Sequence, residues 1–248
     1  MYWAILSGIE GNVSAYEAVL KDIQRQKHRV TDLFVLGDSI GLKGDNQAII
    51  QRFMSPRTGE LIPQVCTGWW EEQLFSLHGL SGLPNAPELM AREGGDAVQA
   101  LWKSLPRDSV LWLRSLDFGF HELDCLLIHG STVSYADELT PQTPAIQLCD
   151  RLIRADANIL FCGRSGQTFE CQVVPQTLQS SITTLDGPQE PVEQGKTPRR
   201  VVGVGAVGRT PGMATYTLYN PASDRVTFQT ASYKNRAKGF APKKAVFS

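Results

Sequence analysis

Asp38 and His129 are the side chains in this sequence best suited to hold a metal ion, and each directly follows a short apolar run. Carboxylate oxygen and imidazole nitrogen are ligands that manganese or zinc accept. Three more junctions of the same kind occur: Gly8-Ile9-Glu10, Gly68-Trp69-Trp70-Glu71 and Gly163-Arg164-Ser165-Gly166. Glu10 offers oxygen to a hard cation, or is simply a solvated loop residue. Trp69 and Trp70 offer faces on which a base stacks, or bulk that fills a cavity. Arg164 is permanently charged, repels a metal and suits a carboxylate partner. Asp38 is equally able to cap a helix or pair with an arginine, and His129 to be a hydrogen-bonded pocket residue without catalytic work. The chemistry on offer is either hydrolysis at a sparse metal site or recognition of a small anionic ligand.

Such residues need strands to deliver them and helices to separate the strands. Residues 2–7, Leu33 to Leu36, Pro63 to Cys66, Leu123 to Ile128 and Asn158 to Cys162 read as strands. Val13 to Gln26 has helical spacing at Val13, Tyr16, Val19, Leu20 and Ile23, with Asn12 or Ser14 as cap. Ala48 to Met54, Glu88 to Leu105, Ser109 to Leu116 and Pro144 to Ala155 also read as helices. Phe169 to Val174 and Arg200 to Val204 look like paired strands. Residues 175–198, rich in Gln, Pro, Thr and Gly, read as a loop insertion. Ala214 to Tyr219 and Arg225 to Ala231 form a hairpin across Asn220-Pro221-Ala222-Ser223. Alternating strands and helices predict an α/β chain.

Composition narrows the function classes. A net charge of -1 and a pI near 6.4 give no electrostatic case for nucleic acid. The basic tail, residues 234–248, is a short exception. Five cysteines with no paired CxxC spacing suggest buried free thiols in a reducing compartment. No run approaches the roughly 20 apolar residues of a membrane span, and no signal peptide is visible, so a cytoplasmic location is expected. Gly203, Gly205 and Gly208 match GxGxxG literally, yet Arg209-Thr210-Pro211-Gly212 follows where a dinucleotide fingerprint needs a helix. His28, His78 and His121 have no partners at ligand spacing.

The five junctions resemble, in order, the motifs of the calcineurin-like metallophosphoesterase superfamily. Its pattern runs Asp-x-His, Gly-Asp, Gly-Asn-His-Asp/Glu, a lone His, and Gly-His-x-His. Leu36-Gly37-Asp38-Ser39-Ile40-Gly41 is similar to the family's Leu-Gly-Asp-x-x-Gly. Trp112 to Leu116 resembles the segment before the His-Gly-Ser strand, and Val202 to Gly208 the closing turn. The likeness is greatest to the bacterial branch of small phosphodiesterases and diadenosine-tetraphosphatase-like proteins. It implies one domain over residues 1–248, built as a four-layer α/β/β/α sandwich with two mixed sheets.

Carried over by position, the family's ligand sites fall on Gly8, Glu10, Asp38, Trp69, His129, Arg164 and Gly166. Only Asp38 and His129 retain family ligands, and Trp70 cannot serve as the general acid that a histidine would be. The resemblance therefore implies a dismantled two-metal site, with no cofactor expected. The leading expectation is a non-catalytic binding or regulatory module with a pocket of Glu10, Asp38, Trp69, Trp70, His129 and Arg164, serving a small anionic ligand or a protein partner. One rival is a divergent phosphoesterase acting on a phosphodiester or nucleotide-like substrate, with a single divalent metal such as manganese on Glu10, Asp38, Glu71 and His129, or with none. Another is a protein-interaction scaffold. In the leading reading the tryptophans plug the old site and Arg164 reaches Asp38 or Glu10 as an internal cation.

Overall fold

Trp3 and Ile5 point to one side of the first strand, β1 (Tyr2–Leu6), and Ala4 and Leu6 to the other, yet all four are buried. A strand buried on both faces needs a covering layer on each. In the computed structural model, which describes residues 1–82, 85–174, 179–184 and 198–234, one layer is a second sheet and the other is helical.

β1 runs parallel to β2 (Val30–Leu36) and antiparallel to β10 (Met213–Asn220). β3 (Pro63–Cys66) extends the sheet beyond β2, and β11 (Arg225–Ser232) pairs with β10. The second sheet runs β4 (Gly119–Glu122), β5 (Cys125–Ile128), β6 (Ile159–Cys162), β9 (Arg199–Val204), β7 (Thr168–Val174) and β8 (Gln179–Thr184). Its centre, β5-β6-β9, is parallel. Phe34 and Leu36 of the first sheet meet Leu127, Phe161 and Val202 of the second in the inter-sheet core. Outside, α1 (Val13–Arg25) and α2 (Asn46–Met54) cover the first sheet, and α7 (Ala145–Ala155) covers the second. These are the four layers of an α/β/β/α sandwich. Asn12 caps α1 by accepting from Ala15 N–H at 3.1 Å.

A separate apolar cluster is built by α3 (Trp69–Leu77), α4 (Pro87–Glu93), α5 (Gly95–Trp102) and α6 (Arg107–Arg114). Trp69 and Trp70 are both buried in it, ring centroids 4.8 Å apart and edge to face.

Several expected boundaries differ. The segment expected as one helix over Glu88 to Leu105 is two, because Gly94 takes a left-handed φ of 81° between them. The helix at Trp69 goes unforeseen, since it lacks an apolar stripe: nearly all its residues are buried. The apolar run from Leu123 becomes strand only at Cys125; Leu123 is exposed in the turn of a hairpin with β4. Within the expected loop 175–198, β8 pairs antiparallel with β7, so a polar, weakly periodic stretch is held by backbone pairing at a sheet edge. Residues 175–178 and 185–197 and the tail beyond 234 lie outside the described residues.

Two stability outcomes follow. Leu123 holds φ at 56° with no packing in return. Leu123→Gly should raise the stability by about 0.5–1 kcal/mol, read as a higher urea midpoint. Trp70→Ala should lower it by about 3–5 kcal/mol; an unchanged midpoint would show that the indole is not a core side chain.

Candidate functional site

The loops after β1, β2, β5, β6 and β9 are stitched together by backbone hydrogen bonds. Gly8 N–H donates to Gly37 O at 3.2 Å and Glu10 N–H to Asp38 O at 2.9 Å. Gly163 and Arg164 both donate to His129 O at 2.8 Å, and Val207 donates to Ser7 O at 2.9 Å. His129 links the two sheets, its Nδ1 lying 2.9 Å from Leu36 O. Because a carbonyl only accepts, Nδ1 carries the proton. The sheets approach so closely here that a Cβ on Gly163 would stand 2.0 Å from Ser7 Oγ.

Asp38 is fully buried and holds a left-handed φ of 50°, as Glu10 does at 51°. For residues other than glycine this conformation costs of order 1–3 kcal/mol and concentrates at functional sites. Asp38 Oδ1 accepts Trp70 N–H at 3.0 Å, so the carboxylate caps α3 from another segment. The same oxygen lies 3.3 Å from His129 Nε2, which has no aligned hydrogen-bond partner. Burial works to raise the Asp38 pKa, but His129, Arg209 and Arg164 together hold the carboxyl well below the usual range.

Glu71 is also fully buried, but its work is structural. Its Oε1 accepts from Ser39 and Ile40 N–H at 2.9 and 3.1 Å, and Oε2 from Asp38 and Gly68 N–H at 3.0 and 2.9 Å. The carboxylate thus pins the loop after β2 to the start of α3. Burial and the Asp38 charge push its pKa up to about 7.

The cation that answers Asp38 most directly is Arg209, which the sequence reading passed over as part of a turn. Its Nη2 donates to Asp38 Oδ2 at 2.9 Å, Nε to Glu10 Oε1 at 2.7 Å and Nη1 to Arg164 O at 2.9 Å. One guanidinium bridges both carboxylates, and every nitrogen is used. Gly8 and Gly166 make the room. A Cβ on Gly8 would lie 3.3 Å from Arg209 Nε, and one on Gly166 would lie 2.6 Å from Nη1. A signal existed in the sequence: Arg209 closes the glycine-rich turn after β9, another strand-end junction.

Arg164 comes within 3.5 Å of Asp38 Oδ2, but no contact joins it to Glu10. Its guanidinium lies 4.5 Å from the Trp69 ring centre, and the indole Nε1 donates to Glu88 Oε2 at 2.9 Å. Trp69 and Trp70, being buried, present no open face to a base.

These residues do not fit a two-metal centre. Two guanidinium groups bear on Asp38, Glu10 is held by Arg209, and Glu71 is saturated by backbone N–H groups. Among the described residues, no three His, Cys, Asp or Glu side chains are grouped to hold a metal.

No protein-family model matches the chain, and no curated protein matches its sequence. Solved structures do. A metallophosphoesterase from Sphaerobacter thermophilus superposes with a TM-score of 0.65 at 22% identity, covering 94% of this chain and 90% of that one. A hypothetical protein from Pyrococcus horikoshii superposes with a TM-score of 0.70 at 18% identity, covering 94% and 89%. Such identities speak to architecture alone, and they agree with the two mixed sheets and outer helices: the chain has the metallophosphoesterase fold.

Proposed function

We propose that this chain is a single metallophosphoesterase-like domain whose two-metal site has been dismantled, and that it works as a non-catalytic binding or regulatory module. The observation that carries this reading is the Arg209 guanidinium, hydrogen-bonded to both Glu10 and Asp38. A fixed monovalent cation bridges those two carboxylates and offsets one of their charges, but it cannot generate a metal-bound hydroxide nucleophile. The motif likeness favours the bacterial phosphodiesterase branch as its origin. Five buried free cysteines suit a reducing, cytoplasmic setting. No helix among the described residues is long and apolar enough to cross a membrane. The ligand in this reading is a small anion or a protein partner.

Two measurements bear on it. Added manganese or zinc should leave hydrolysis of a nitrophenyl phosphodiester or phosphomonoester at the metal-free blank. A robust rate that rises with manganese and disappears in Asp38→Ala would overturn the reading.

The second is an acid response. Asp38 has a folded-state pKa below its unfolded value, so its stabilisation is present above the unfolded pKa and is lost as pH falls through the folded one. Asp38→Asn should therefore be less stable than the parent by about 3 kcal/mol at neutral pH. That gap should close progressively below about pH 4, where the unfolded carboxylate protonates. Urea midpoints of both proteins across pH 7 to 2.5 read it directly. A gap independent of pH would mean that the Asp38 charge is not what stabilises the site.

A further inference from the structure

Arg164 has a property that the carboxylate network does not explain. The residue is only 7% exposed, yet none of its five N–H donors makes a hydrogen bond to any described residue. Its contacts are an ion pair to Asp38 Oδ2 at 3.5 Å and the face of Trp69. At 3.5 Å and without hydrogen-bond alignment, Asp38 Oδ2 answers the charge of Arg164 without satisfying its N–H groups. Buried donors in native proteins almost always find an acceptor, and the sealed Nε has none, while the Nη groups have no hydrogen-bonded protein acceptor among the described residues. Of its three nitrogens only Nε is both sealed from solvent and unpartnered, which leaves the Nη groups reachable from outside.

The surroundings have the same bias. Arg92 of α4 places its guanidinium 5.3 Å from the Trp69 ring centre, and its side chain is half exposed. Arg92 and Arg209 are both close enough to disfavour the charge on Arg164. The nearby acids are largely committed: Glu88 to the Trp69 indole, Glu93 to Arg92 at 3.2 Å, and Glu10 and Asp38 to Arg209. Glu138 acts on Arg164 only at longer range.

We propose that the Nη edge of Arg164, held against Trp69, is the binding site for a small oxyanion, a phosphate ester group or a carboxylate. The anion accepts two parallel N–H bonds from the guanidinium, and Arg92, which meets the same indole, adds positive potential. This rests on the non-catalytic reading above and names its ligand class. Binding requires no metal and breaks no covalent bond.

The test uses the full chain, with thermal unfolding and calorimetric titration against inorganic phosphate, methyl phosphate and acetate at constant ionic strength set by chloride. A saturable rise in unfolding midpoint with at least one of the three, beyond the chloride control, is expected. A response to both phosphates and not acetate assigns a phosphate ester group; the reverse assigns a carboxylate. Arg164→Gln should weaken binding at least ten-fold, Arg164→Lys less because it keeps the charge without the planar fork, and the exposed Arg92→Gln about three-fold. If Arg164→Gln fails to fold, Arg164→Lys and Arg92→Gln carry the comparison. No response to any of the three anions, or wild-type affinity in the folded Arg164 variants, overturns the site. Either result leaves the hydrolysis assay untouched, so loss of this site and loss of the non-catalytic reading are separately visible.

Discussion

A carboxylate with no water around it has to be neutralised in place. Asp38 is such a group, and much of the site is arranged around that constraint. Removing an ion from water costs several kcal/mol, recovered only when the counter-charge and hydrogen bonds are well placed. Asp38 receives Trp70 N–H on one oxygen and Arg209 on the other, with His129 and Arg164 at slightly longer range. Each partner comes from a different strand end or helix start. The charge therefore ties both sheets and the α3 to α6 cluster to one point.

The residues at this point are mutually consistent. Glycine at positions 8 and 166 supplies no ligand, and the same two glycines leave the space that the Arg209 side chain fills. Glu10 loses nothing by being a carboxylate, since Arg209 Nε needs an acceptor there. A metal pair draws many donors towards a compact double charge, whereas a guanidinium is flat and directional. Exchanging one for the other changes the shape of the cavity as well as its charge.

Glu71 makes the frame rigid. By accepting four backbone N–H groups it satisfies donors that the left-handed turn at Asp38 and the first turn of α3 would otherwise leave unpaired. This is why a strained turn persists beside a helix whose N-cap is a glycine with no side chain to offer. It also removes Glu71 from any ligand set, a role that the spacing of the sequence had left open.

Much of the architecture was legible in the sequence because its causes are local. Apolar runs such as Leu33 to Leu36, the amphipathic period of Val13 to Gln26 and the turn at Asn220 to Ser223 each depend on residues a few places apart. The strand-end positions of Glu10, Asp38, His129 and Arg164 were legible for the same reason. Tertiary structure alone decided the pairings. Arg209 lies 171 residues from Asp38 and 199 from Glu10, and its reach depends on how two sheets pack and on the space left at Gly8 and Gly166. Likewise, Trp69 and Trp70 lie in a helix without an apolar stripe, because α4 to α6 cover its other faces. Local periodicity determines which segments become strands and helices; which distant cation meets a buried carboxylate is determined only when the packed chain excludes water from both.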